Sequence, residues 1–228
     1  MPLALSLALA ASMTAVTAAN PEQHADPAPL LLANFNTQGT SSTDRGAKDL
    51  ISGTWQTVND NIMGGRSQGS GQIRDGLMVF AGSINTNGGG FSSLRARNTR
   101  WDLTPYEGIA ARIRADGRTY VVHIDTGLRY NNGNVFYRGS FTTDRLINAN
   151  GEPITTDEST AETPAWQDVF VPFDQFVPVV RGRDVTGRVE QLDPAKIQGL
   201  GLMIDDGQDG PFRLEADWLK AQPRPTLR

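Results

Sequence analysis

The pattern that most constrains this chain is two-residue alternation of apolar and polar side chains, in short runs cut by glycine and proline. Ile109, Ala111 and Ile113 share one face of a run, with Arg112 and Arg114 on the other. Tyr120, Val122 and Ile124 oppose Val121, His123 and Asp125, and Phe212, Leu214, Ala216 and Trp218 oppose Arg213, Glu215 and Asp217. Val169, Val171 and Phe173 alternate beside Pro172, which suits an edge strand or a bulge. Extended backbone turns successive side chains to opposite faces, so each run reads as a half-buried antiparallel strand. Further strands are expected at 30–35, 55–59, 77–84, 91–97, 134–141 and 197–204, making about ten in two sheets. No 3.6-residue pattern is sustained, so helices should be short and few. The expected fold class is an all-β antiparallel sandwich.

The 228 residues include 24 glycines and 13 prolines, the punctuation that short strands need. Absence of cysteine excludes disulfides, thiolate catalysis and cysteine-ligated zinc. The net charge of −4 is spread along the chain, without the basic footprint that nucleic acid requires. Residues 1–19 are small and apolar and end in Val16-Thr17-Ala18-Ala19, which reads as a secretory signal peptide. Processing there gives an exported or periplasmic domain; without it the reading is cytoplasmic. The stretch is too short and too interrupted for a stable membrane span. A polar linker at 20–29, the sandwich at 30–221 and a tail at 222–228 complete the expected organisation. Two long polar connections, 144–165 and 178–194, are expected to be loops.

Trp55 to Ser67 contains Asn59, Asp60 and Asn61, then Met63 and Gly64-Gly65. These residue types suit either a tight loop leaving a strand or a loop that turns Asp60 and backbone N–H groups toward a ligand. Asn87-Gly88-Gly89-Gly90-Phe91 lacks the Lys-Ser/Thr of a phosphate-binding loop, and close approach of two backbones suits it better. Arg95, Arg97, Arg112, Arg114, His123 and Asp125 occupy polar phases; on neighbouring strands they make either a solvated outer face or an arginine-rich recognition surface. His123 has no Gly-x-Ser-x-Gly partner motif, and Asp205-Asp206-Gly207 is a calcium candidate without EF-hand spacing. No pair of carboxylates is singled out for glycoside hydrolysis.

Taken in order, W-x-x-V-N-D-x-I-M-G-G-x-S, N-G-G-G-F-S-S-L-R, R-G-R and D-G-Q-x-G-P-F-R-L-E resemble the complex I intermediate-associated protein 30 family, over about Leu30 to Ala221. The resemblance implies a galactose-binding-like jelly roll, similar to certain carbohydrate-binding modules, whose mitochondrial members are assembly chaperones of respiratory complex I. It implies signature residues at Asn59, Asp60, Met63, Gly64, Gly65, Ser67, Asn87, Gly88, Gly89, Phe91, Arg95, Arg181, Gly182, Arg183, Gln208, Gly210 and Phe212. The resemblance brings no catalytic residue, cofactor or metal site.

The expected function is therefore a non-catalytic protein-binding module. A carbohydrate-binding module is the alternative, and an uncharacterised hydrolase a more distant one. Aromatics are only 7% of the chain, and Phe173, Phe212 and Trp218 fall in core phase, which favours protein over sugar. The 59–67 loop, the 87–91 loop and Arg181–Arg183 are expected to converge, with Arg181 or Arg183 paired to Asp60 or Asp205.

Overall fold

A computed structural model describes residues 26–36, 55–143 and 165–224. The expected signal segment, most of the linker and nearly all of the 144–165 connection lie outside these residues. The described chain forms thirteen strands, and its helical turns are three short 3-10 segments. None of its helices is long and apolar enough to cross a membrane.

One sheet contains β3 (Gln68–Arg74), β4 (Leu77–Ile84), β13 (Gly210–Gln222), β6 (Gly108–Ala115) and β9 (Gln167–Pro172) in that order, with β1 (Leu30–Asn34) also paired to β13. The other runs β11 (Arg183–Asp184), β10 (Val177–Val180), β8 (Gly133–Thr142), β7 (Thr119–Tyr130), β12 (Ile197–Ile204), β5 (Ser92–Trp101) and β2 (Trp55–Asn59). Every strand pairing is antiparallel. The inward phases of both sheets fill one core, in which Phe80, Ile113, Leu214, Leu94, Tyr120, Val122, Ile124, Tyr137 and Leu202 are all essentially without solvent contact. Burying side chains of this size contributes about 1.5–3 kcal/mol each.

Five details depart from the sequence reading. β13 has a register shift between Ala216 and Trp218 where it pairs with β6, so the inward phase passes to Leu219 and Ala221. Trp218 is consequently only half-buried, with the Lys220 ammonium 3.9 Å from its ring centre. The 178–194 connection contains most of β10 and all of β11 rather than being loop throughout, and β3 is an additional strand. Phe173 is buried, but from a 3-10 turn beyond the edge strand β9. The arginine phases also divide: Arg112 and Arg114 belong to β6, whereas Arg95, His123 and Asp125 belong to the seven-stranded sheet.

At one end, two connections between the sheets are bolted together. Asp116 to Arg118 join β6 to β7, and Asp205 to Asp209 join β12 to β13. The Arg118 guanidinium donates through Nε and Nη2 to Asp206 at 2.9 and 2.6 Å. Its remaining donors reach the carbonyls of Gln208, Gly210 and Pro211 at 2.5, 3.1 and 2.9 Å. All five N–H donors of the guanidinium are thereby used.

Candidate functional site

Asp60 opens the 3-10 turn that follows β2, and Gly64 closes that turn in the left-handed region at φ 89°. Its carboxylate has no solvent exposure. Oδ1 accepts from the Ser67 backbone N–H at 2.9 Å; Oδ2 accepts from Ser67 Oγ at 2.7 Å and from the backbone N–H groups of Gly90 and Phe91 at 2.6 and 3.4 Å. Burial alone would raise the Asp60 carboxyl, but hydrogen bonds from Ser67, Gly90 and Phe91 outweigh it and hold the group below the usual carboxylate range. A Cβ at Gly65 or Gly89 would stand 2.2 or 2.3 Å from this carboxylate, so both loops need glycine to close around it.

Asn59 makes a parallel join. Its side chain donates to the Gly69 carbonyl at 3.1 Å and accepts from the Gly69 N–H at 3.2 Å and Ser92 Oγ at 2.7 Å. The link crosses between sheets, since β2 and β5 lie in one and β3 in the other. Asn59, Asp60, Gly65 and Ser67 thus build the rim of a site and do not line it.

The site itself is a cavity of about 720 Å³ on the outward face of the seven-stranded sheet. Its lining includes Met63, Gly89 and Phe91 from the two latched loops, Arg95 from β5, and Arg181 from the β10–β11 turn. The expected convergence of segments is therefore present in space. The expected ion pairs are not: Asp60 is held by neutral donors, Asp205 by Arg138 Nη1 at 2.5 Å, and Arg181 Nη2 donates to the Asn132 carbonyl at 3.2 Å. At Asp60, backbone N–H groups and the Ser67 hydroxyl took the acceptors that charge alone assigned to arginine, and at Asp205 a different arginine did. Arg183, Gln208, Asn87, Gly88 and Gly64 are not among the lining residues. Arg183 is an exposed member of β11, and the Gln208 carbonyl serves the Arg118 bolt.

Phe136, Arg138 and Met203 also line the cavity, and sequence reasoning missed them. The signal was available. Phe136 and Arg138 alternate with buried Val135 and Tyr137, so they share the outward phase of β8. Arg95, Gly201, His123 and Arg138 stand in one cross-strand row, with a glycine leaving room between the longer side chains. The His123 ring is buried with its centre 4.4 Å from that of Phe136, and the Arg95 guanidinium lies over Phe136 at 5.1 Å. The outward phase of β7 is thus covered at Val121 and His123, not solvated as its polarity suggested. Among the described lining residues Asp205 is the one carboxylate, and it is neutralised in place by Arg138. Asp206 is likewise taken by Arg118, so the 205–207 segment has no uncommitted carboxylate for calcium. The wall can bind through guanidinium, thioether and aromatic groups; it holds no carboxylate pair or activated nucleophile among those residues.

Comparison with known proteins bears on the fold and the family. The chain is 27% identical over 161 residues to a Drosophila melanogaster protein named complex I intermediate-associated protein 30, mitochondrial, covering 70% of this chain and 49% of that one. It is 29% identical over 125 residues to the Mus musculus protein of the same name, covering 54% of this chain and 32% of that one. The chain spans half or less of the length of these relatives. Among solved structures it resembles a family 11 carbohydrate-binding module of a Clostridium thermocellum cellulosomal cellulase, with a TM-score of 0.54 at 15% identity, over 88% of this chain and 98% of that one. A family 11 module from the same organism, in complex with a β-1,3-1,4-mixed-linked tetrasaccharide, gives a TM-score of 0.52 at 17% identity, over 76% and 92%. These likenesses identify the sandwich as a jelly roll of the galactose-binding-like type. Residues 44–216 match the family described as complex I intermediate-associated protein 30, and the chain belongs to that family.

Proposed function

We propose that the chain is a non-catalytic binding module whose cavity holds part of a protein partner, in the assembly role that the family resemblance implies. The carrying observation is the make-up of the wall. Arg95, Arg138 and Arg181 surround Phe136, Phe91, Met203 and Met63, and Met63 is 62% exposed at the latched loop. Arginine, methionine and aromatic residues are the types enriched where proteins meet. The relatives' names, which describe association with a complex I intermediate, support the same class of partner.

The jelly roll shared with the tetrasaccharide-bound module keeps carbohydrate as the rival reading, although a fold does not carry a ligand with it. Sugar recognition on a sheet face uses aromatic rings offered for stacking. Here the Phe136 ring is already engaged by His123 and Arg95. The test is capture of partners by the tagged chain in its native cells, beside the Met63→Asp variant and a glycan panel that includes the mixed-linked tetrasaccharide. Capture should be lost in Met63→Asp while stability stays within about 0.5 kcal/mol, as expected for an exposed position. Saturable tetrasaccharide binding, with capture unchanged by the substitution, would move the assignment to carbohydrate.

A further inference from the structure

Three hairpins in this molecule close through two-residue turns whose central residues all have positive φ: Asp75-Gly76 at 50° and 77°, Asn131-Asn132 at 46° and 59°, and Arg181-Gly182 at 49° and 78°. Such turns match the twist of the paired strands and favour Asn, Asp or Gly at the first position, because those residues tolerate the left-handed region. Asp75 and Asn131 follow that preference. Arg181 does not. A residue kept in an unfavourable conformation where the same chain elsewhere places Asp or Asn points to work done by its side chain.

The Arg181 side chain is exposed and lines the cavity, and it donates a hydrogen bond to the Asn132 carbonyl in the neighbouring turn. That bond fixes the guanidinium at the rim without supplying a counter-charge. Below it, Arg138 gives one donor to Asp205, while its Nε is shielded from solvent and lacks a hydrogen-bond partner. Among the described lining residues the single carboxylate, Asp205, is already held by Arg138, so the positive charge of Arg181 stands at the rim unanswered by it. Met63, Phe91 and Phe136 place apolar surface beside this charge.

We infer that the cavity recognises a carboxylate side chain, an Asp or Glu flanked by an apolar residue, in an acidic segment of the protein partner, with Arg181 as its principal contact. This rests on the protein-binding reading above and adds the chemistry of the partner. A planar guanidinium meets a carboxylate in a two-point fork, which an amide or a sugar hydroxyl does not reproduce.

The experiment selects a random-sequence peptide display library on the full chain, then measures individual peptides by fluorescence anisotropy. Selected sequences should be enriched in Asp or Glu next to an apolar residue. The Gln-for-Glu or Asn-for-Asp version of a selected peptide should bind about tenfold more weakly, and affinity should fall as salt rises. Arg181→Asn should weaken the same peptides by about tenfold, yet leave the thermal midpoint unchanged or higher, since Asn suits the turn. A merely structural Arg181 would lose both or neither. Selection without acidic enrichment, failure to select any peptide, or equal binding by Arg181→Asn overturns the inference. Of these, peptide binding that ignores Arg181 but is lost in Met63→Asp leaves the protein-binding reading standing. Oligosaccharide binding with no selected peptide removes both.

Discussion

Asp60 is a charged group with no solvent exposure and no cation among its hydrogen-bond partners; its compensation comes from two loops folded over it. Because its folded-state pKa lies below the ordinary value of 3.8, its contribution to stability is fully present above about pH 4 and is lost as pH falls through the lower folded value. Asp60→Asn puts an NH₂ group among donors and strands at least one backbone N–H, each stranded group costing about 1–3 kcal/mol. Urea midpoints should therefore show a loss of roughly 3 kcal/mol at pH 7 and a shallower fall toward pH 3 than in the native chain. If the two proteins track each other across that range, Asp60 is not the latch described. The sequence marked Asp60 as special through its neighbours, but it displays charges and hides backbone N–H groups, so arginine seemed the natural partner.

At the scale of the element, the two loops are held at a spacing that only hydrogen at Cα allows. Gly65→Ala and Gly89→Ala would each drive a methyl into the Asp60 carboxylate. Both should cost over about 2 kcal/mol, as overpacking against a fixed group does. Gly182→Ala makes a comparison: its turn has open space around it, so only the positive φ is penalised, by roughly 1 kcal/mol. Equal losses in all three, measured by thermal denaturation, would mean that backbone conformation alone explains the glycines. The same closeness explains what alternation could reveal. β6 and β7 announce themselves through Ile109, Ile113, Val122 and Ile124, whereas β3 turns Gly69 and Gly71 toward Ser92 and Leu94 and so has no apolar phase to read. The bulge in β13 shifted Trp218 off the phase that Phe212 and Leu214 had set. Pro178 and the two-residue length of β11 masked that hairpin, although positive φ at Arg181-Gly182 builds it just as it builds the Asp75-Gly76 and Asn131-Asn132 turns.

Across the whole molecule, the Arg118 bolt joins two of the places where the chain changes sheets, next to Asp205, which Arg138 holds at the cavity. Arg118 and Asp206 side chains are only 10% and 3% exposed, which keeps water from replacing either partner. Arg118→Ala should cost about 3–5 kcal/mol by leaving a buried carboxylate unmatched. Arg118→Lys should recover less than half of that, because an ammonium cannot reproduce the five-donor fork. Urea titration of both variants checks the order; a lysine variant as stable as the native chain would show that charge alone suffices.

β13 is the last of the described strands, yet it occupies the middle of its sheet, with β4 and β1 along one side and β6 along the other. On the ribosome those neighbours emerge first and must wait, their edges open, for a strand synthesised after all of them. The nascent chain can assemble the seven-stranded sheet from segments already in hand, but it cannot close the six-stranded one until Gly210 to Gln222 has cleared the exit tunnel. Closure of the six-stranded sheet therefore follows translation of Gly210 to Gln222, and until β13 arrives the edges of β1, β4 and β6 that it covers stay unpaired.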